Sequence, residues 1–241
     1  MRPMFFLILG LILLTDGAWF AYFRAKEKNL NSPRWFRLLA MAGGCASVYV
    51  ALAGYQQIES LGFQADWAAL VEPTWGKALA WSFIFAAVEE FAKMLPVLSL
   101  LAVVGRTDNP VDGLILAAVS GLGFATAEST SMWSNGHLGT VDGLARAMAS
   151  PLTHALFAAP WGWALGKAWA EKRVFPIVVG LLASVSCHGA YNMLLARPGI
   201  PKMASAAIVL ALWLWVLKIT PPFNLGRIRL GAFTPPSLRQ A

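Results

Sequence analysis

Apolar residues run along this chain in long stretches, and polar residues gather in short links between them. About seven stretches approach the roughly 20 residues needed to cross the hydrocarbon core of a bilayer. They fall near 3–23, 36–56, 76–103, 112–133, 143–169, 174–196 and 203–220. The links carry turn-forming residues, as in Asn31-Ser32-Pro33, Asp108-Asn109-Pro110 and Arg197-Pro198-Gly199, and leave no room for a separate soluble domain. The pattern predicts an all-α polytopic membrane protein, a bundle of about seven transmembrane helices enclosing an intramembrane polar site. Residues 1–220 form one transmembrane domain in this reading. Residues 221–241, with Pro235-Pro236 and scattered arginines, form a flexible cytoplasmic tail.

Composition strengthens the membrane reading. Of 241 residues, 58% are hydrophobic and 13% charged, and mean hydropathy is +0.60. Soluble domains average about 45–50% apolar and about 25% charged residues. A formal charge of +7 and a pI near 9.7 raise nucleic-acid binding as a possibility. The distribution excludes it, because the basic residues sit in short clusters between apolar runs rather than along one face. Cys45 and Cys187 both lie inside apolar runs and are expected as free thiols.

Lysine and arginine set the expected orientation, since cytoplasmic loops are enriched in them. The first link holds Arg24, Lys26, Lys28, Arg34 and Arg37, the third Arg106, the fifth Lys167, Lys172 and Arg173, and the tail Arg227, Arg229 and Arg239. The second link carries Glu59, Asp66 and Glu72 instead. Arg197 and Lys202 run against the scheme. The N-terminus is therefore expected outside and the C-terminus in the cytoplasm of a cell-membrane protein. The first stretch reads as a retained helix rather than a signal peptide, because its basic cluster follows the apolar run instead of preceding it.

Against this background the ionisable residues at depth stand out, since a charge at the centre of a spanning helix costs several kcal/mol. The third span contains Glu89, Glu90 and Lys93 in FIFAAVEEFAKMLP. Glu89 and Lys93, four residues apart, share a helical face and are expected to pair, which leaves Glu90 unpartnered. A purely structural salt bridge is the alternative. The fourth span places Glu128 in GLGFATAEST, with no basic residue within a helical turn, so its partner is another helix, a proton or a metal ion. The fifth span supplies His154 and the sixth His188, with Asn192 one turn further on. His137, in the polar stretch SNGH, is expected on the surface. A shared polar site explains acidic or imidazole side chains in four successive spans better than four unrelated accidents.

Two histidines and a glutamate match the His2Glu ligand set known at catalytic zinc sites. Glu128, His154 and His188 are the expected ligands, and bound zinc lowers the pKa of water to about 7. Glu89 or Glu90 would then carry the proton to the leaving amine. No HExxH sequence is present. A metal-free variant stays open, with the glutamates activating water and His188 and Asn192 steadying an oxyanion.

These motifs resemble the PrsW-type intramembrane proteases, distant relatives of the prenyl-protein (CAAX) endopeptidases. Glu89-Glu90-Phe91-Ala92-Lys93 is similar to the family's EExxK, and Phe124-Ala125-Thr126-Ala127-Glu128 to its FxxxE. His154, followed by Gly162 and Gly166-Lys167-Ala168, matches its first histidine helix. His188-Gly189-Ala190-Tyr191-Asn192 matches its HGxYD/N signature, and Val111-Asp112-Gly113 resembles its YDG. Ser129 stands where the family commonly has Asn, and Asn192 where Asp is frequent. An amide at 192 offers hydrogen bonds but no acid or base at neutral pH. The resemblance covers roughly residues 83–195. It implies hydrolysis of peptide bonds in membrane-associated protein substrates of the anti-sigma-factor type, with Glu89, Glu90, Lys93 and Asn192 in the chemistry. An ion- or proton-coupled transporter and a non-enzymatic receptor or scaffold are the alternatives. Neither an internal repeat nor paired broken helices supports the transporter.

Overall fold

A computed structural model describes residues 2–27, 34–63, 70, 74–104 and 109–222. All secondary structure among the described residues is helical: α1 (Arg2–Ala25), α2 (Arg34–Ser60), α3 (Trp75–Val104), α4 (Pro110–Ser134), α5 (Thr140–Glu171), α6 (Phe175–Ala196) and α7 (Met203–Ile219). One helix lies on each expected apolar stretch. The expected tail lies, from residue 223 on, outside the described residues, as do Lys28, Asn31-Ser32-Pro33, Asp66, Glu72, Arg106 and Asp108.

Among the described residues, four helices are long and apolar enough to cross a membrane: Met4–Ala25, Trp35–Ser60, Pro110–Ser134 and Phe175–Ala196. Helices α3 and α5 are longer still but carry the charged residues, and α7 is a shorter apolar helix. Burial is inverted relative to a soluble protein. Leu14, Tyr49, Val103, Leu182 and Leu214 stand exposed, while Glu89, Glu90 and Lys93 are buried. An apolar exterior is stable against lipid, and a charged interior is stable when its charges meet one another.

Helix α4 lies at the centre, packed most extensively against α5 and α2 and also touching α1 and α3; α6 packs on α3, α5 and α7. Small residues permit the close crossings. A Cβ at Gly121 would sit 2.5 Å from the His154 carbonyl oxygen, and one at Gly123 would sit 2.0 Å from that of Met41. Glycine is thus required where α4 meets α5 and α2, one to two turns before Glu128. The Ser120 hydroxyl donates to the Lys93 carbonyl at 2.9 Å, which fixes α3 to α4 at the same depth.

At the opposite ends of these helices Arg37 pairs with Glu27, and Lys26 Nζ donates to the Pro221 carbonyl at 2.8 Å. Arg197, a departure from the basic-loop pattern, is buried with its guanidinium 4.3 Å from the centre of the Trp75 ring. Its position reflects packing between α6 and α3. Cys45 and Cys187 are free thiols.

Candidate active site

Near the middle of α3, Lys93 is completely buried, and its ammonium is the hub of a polar cluster. Nζ lies 2.8 Å from Glu90 Oε1, 3.5 Å from Glu89 Oε2 and 2.8 Å from His154 Nδ1, with the Phe124 ring centre 4.3 Å away. The expected Glu89–Lys93 pair is present, but the expectation that Glu90 lacks a partner is corrected. Lys93 reaches both carboxylates and lies nearer Glu90, because positions three and four residues apart are both within range of a long side chain. Glu90 is in fact the most fully engaged acid. Besides Lys93, it accepts from Trp161 Nε1 at 3.0 Å and meets His188 Nδ1 at 2.8 Å. Glu89 accepts from the Tyr55 hydroxyl at 3.1 Å and lies 3.8 Å from His188 Nε2.

Glu128 finds its partner on another helix. Arg146 of α5 binds its carboxylate, and His154 Nε2 lies 3.2 Å from the same oxygen. Arg146 was not singled out in the sequence, although it precedes His154 by two steps of four residues and so shares its face. Tyr55 and Trp161 were missed as well, since a lone aromatic in an apolar run carries no polar signal. His137 lies exposed after α4, as expected. Asn192 sits one turn beyond His188, half-buried, and makes no side-chain hydrogen bond among the described residues.

Hydrogen bonding assigns the imidazole tautomers. An ammonium can only donate, so His154 Nδ1 accepts from Lys93, and its Nε2–H donates to Glu128. A carboxylate can only accept, so His188 Nδ1–H donates to Glu90 and Nε2 keeps its lone pair. Stacking on Phe157, with ring centres 4.5 Å apart and planes at 15°, holds the His188 ring in place. His154 rests at 5.4 Å from Phe124.

Glu89, His154 and His188 form a group that can hold a metal ion, each offering one donor atom within 4.8 Å of the others. Two imidazoles and a carboxylate are donor types that a divalent metal ion such as zinc accepts. The donors fit. His188 is already oriented as metal-binding histidines usually are, with a carboxylate on its other nitrogen. His154 would offer a ring nitrogen in place of its present contact with Lys93 or Glu128. Glu128, the expected third ligand, is not in this group but borders it through His154.

Solvent reaches the cluster unevenly. The side chains of Glu90 and Lys93 are 0% exposed and that of Glu89 6%, whereas Glu128 is 20% and Arg146 26% exposed. Glu128 lies near the C-terminal end of α4 and Arg146 near the start of α5, so the cluster opens toward the α4–α5 turn.

An apolar-surfaced helical bundle with carboxylates, a lysine and two imidazoles gathered in its interior is a multi-pass membrane protein with a buried polar cluster that could hold a metal ion. The chain belongs to the PrsW family: the family described as PrsW family intramembrane metalloprotease matches residues 32–218. It is also similar to Protease PrsW of Geobacillus kaustophilus (strain HTA426), with 32% identity over 141 residues, which is 57% of this chain and 61% of that protein. The match thus spans less than two thirds of that curated relative's length. No solved structure matches the chain.

Proposed function

We propose that this protein is an intramembrane endopeptidase that cleaves membrane-associated protein substrates, anti-sigma-factor-like proteins among them, with zinc as its resident ion. The observation that carries the reading is the convergence of Glu89, Glu90, Lys93, Glu128, His154 and His188 on one buried cluster inside an apolar-surfaced bundle. Charges at this depth are costly, and membership of a metalloprotease family supplies a use for them.

Geometry supports a division of roles different from the one expected in sequence. His154, His188 and Glu89 hold the ion. When bound, zinc supplies the Lewis acidity that makes water nucleophilic near neutral pH and polarises the scissile carbonyl. Glu90 orients His188 through Nδ1–H and balances Lys93. Glu128, on the open side, is the general base: it takes the proton of the attacking water and returns it to the amide nitrogen as the C–N bond breaks. Arg146 positions Glu128. The Asn192 amide is available to hydrogen-bond the substrate carbonyl. The N-terminus faces outside and the C-terminus the cytoplasm, so substrate and water arrive from the outer side of the α4–α5 turn.

Metal content and turnover of two variants test this assignment. Glu89→Gln should lower zinc occupancy along with activity. Glu128→Gln should keep zinc and lose about 10²–10⁴ in cleavage rate, the usual contribution of a general base. Loss of zinc in Glu128→Gln with full occupancy in Glu89→Gln would reverse the two roles.

A further inference from the structure

Apart from the polar cluster, α5, α6 and α7 line an open groove of about 470 Å³. Its lining is largely small and apolar, with Ala164, Gly180 and Leu212 buried and Ala183 exposed. Its mouth carries Lys167 with Trp163 and Phe175. Lys167 Nζ lies 5.3 Å from the Trp163 ring centre and 3.8 Å from Glu171. Lys172 and Arg173 follow in the turn to α6, both exposed. Lys218, in the last turn of α7 and three residues beyond Trp215 of the lining, brings a fourth cation to the same membrane face. Against these four cations Glu171 is the one acid among the described residues of the three helix ends.

We propose that this groove binds an anionic phospholipid, with an acyl chain in the apolar slot and the headgroup phosphate against Lys167, Lys172, Arg173 and Lys218. Charge complementarity selects the occupant, since basic pockets between transmembrane helices recognise anionic headgroups. Trp163, at the mouth, has the amphipathic ring that settles at headgroup level. A substrate helix fits poorly. Trp161, 0% exposed, follows Pro160 of the groove lining and donates through its indole to Glu90 of the cluster, so its ring lies on the cluster side of α5. The open side of the cluster, at Arg146, lies 21 residues before Lys167 on the same helix, about 31 Å away at the rise of an α-helix and so toward the other membrane face.

Native mass spectrometry of the purified full chain with added phosphatidylglycerol or phosphatidylcholine reads the site directly. A cation beside an anionic headgroup is worth about fivefold in binding, so phosphatidylglycerol should be retained at least about tenfold better. Combined Lys167→Gln, Lys172→Gln, Arg173→Gln and Lys218→Gln should abolish that preference. Ala183→Phe, which fills the slot and leaves every cation, should lower retention of both lipids, and excess inorganic phosphate should not displace the lipid. Equal retention of the two lipids by the wild type, or an unchanged preference in the charge variant, overturns the proposal. Wild-type retention in Ala183→Phe would reduce the site to surface charge, and displacement by phosphate would make it a simple anion site. Ala183→Phe that kept its lipid but lost cleavage would make the groove a substrate path.

Discussion

Replacing Glu90 with glutamine should damage the fold, whereas the same change at its neighbour Glu89 should not. Three donors converge on Glu90: Lys93 Nζ and His188 Nδ1 on Oε1, at 2.8 Å each, and Trp161 Nε1 on Oε2 at 3.0 Å. A glutamine amide has one accepting oxygen. With that oxygen facing Lys93 and His188, its NH2 group meets the indole N–H, and the flipped amide fares worse. One buried donor left unsatisfied costs about 1–3 kcal/mol. At about 2–4 °C per kcal/mol for a chain of this size, melting should fall by roughly 2–12 °C. Lys93 keeps Glu89 at 3.5 Å, so its charge is not stranded. Glu89→Gln retains an oxygen for the Tyr55 hydroxyl and loses only the longer contact with Lys93, so its melting should stay near that of the wild type. Thermal melting of the metal-free proteins in one detergent, followed by tryptophan fluorescence, compares the two, because bound metal would itself raise melting. Equal melting of the two variants, or a lower value for Glu89→Gln, would refute the reasoning.

Arg146→Met should release Glu128 and lower cleavage about 10–100-fold, the usual effect of losing a residue that orients a site, with zinc content unchanged by elemental analysis. Gly123→Leu should disrupt the α2–α4 crossing, because even a Cβ there would stand 2.0 Å from the Met41 carbonyl oxygen; overpacking of this kind costs about 1–3 kcal/mol or more, read as lower melting and poorer yield. In intact cells a cysteine placed at Asn135 should react with an impermeant maleimide and one at Lys172 should not; the reverse result would invert the orientation.

The helices were legible because each apolar stretch must satisfy its own backbone within lipid, and a helix alone does that. The cluster was legible where it consists of charges at depth: Glu89, Glu90, Lys93, Glu128, His154 and His188 stand out against apolar neighbours, and all six meet in the structure. Pairing within the cluster was not legible. Lys93 has i+3 and i+4 partners on its own helix, and the choice between them depends on Trp161 and His188, which approach from α5 and α6. Arg146 was hidden because an arginine near a span end reads as a loop charge, and the turn between α4 and α5 decides that it faces Glu128. Which carboxylate joins the two imidazoles likewise depends on how far α3 and α4 approach them.

The central claim is that the buried cluster hydrolyses peptide bonds, and one reconstitution addresses it. Purified wild type and His188→Ala, matched for melting and placed in the same vesicles, are given a panel of tagged single-span proteins, and the products are identified by mass spectrometry. The account predicts a discrete cleavage within or beside the span of at least one substrate by the wild type, and none by His188→Ala. Cleavage by His188→Ala at the wild-type rate would contradict it.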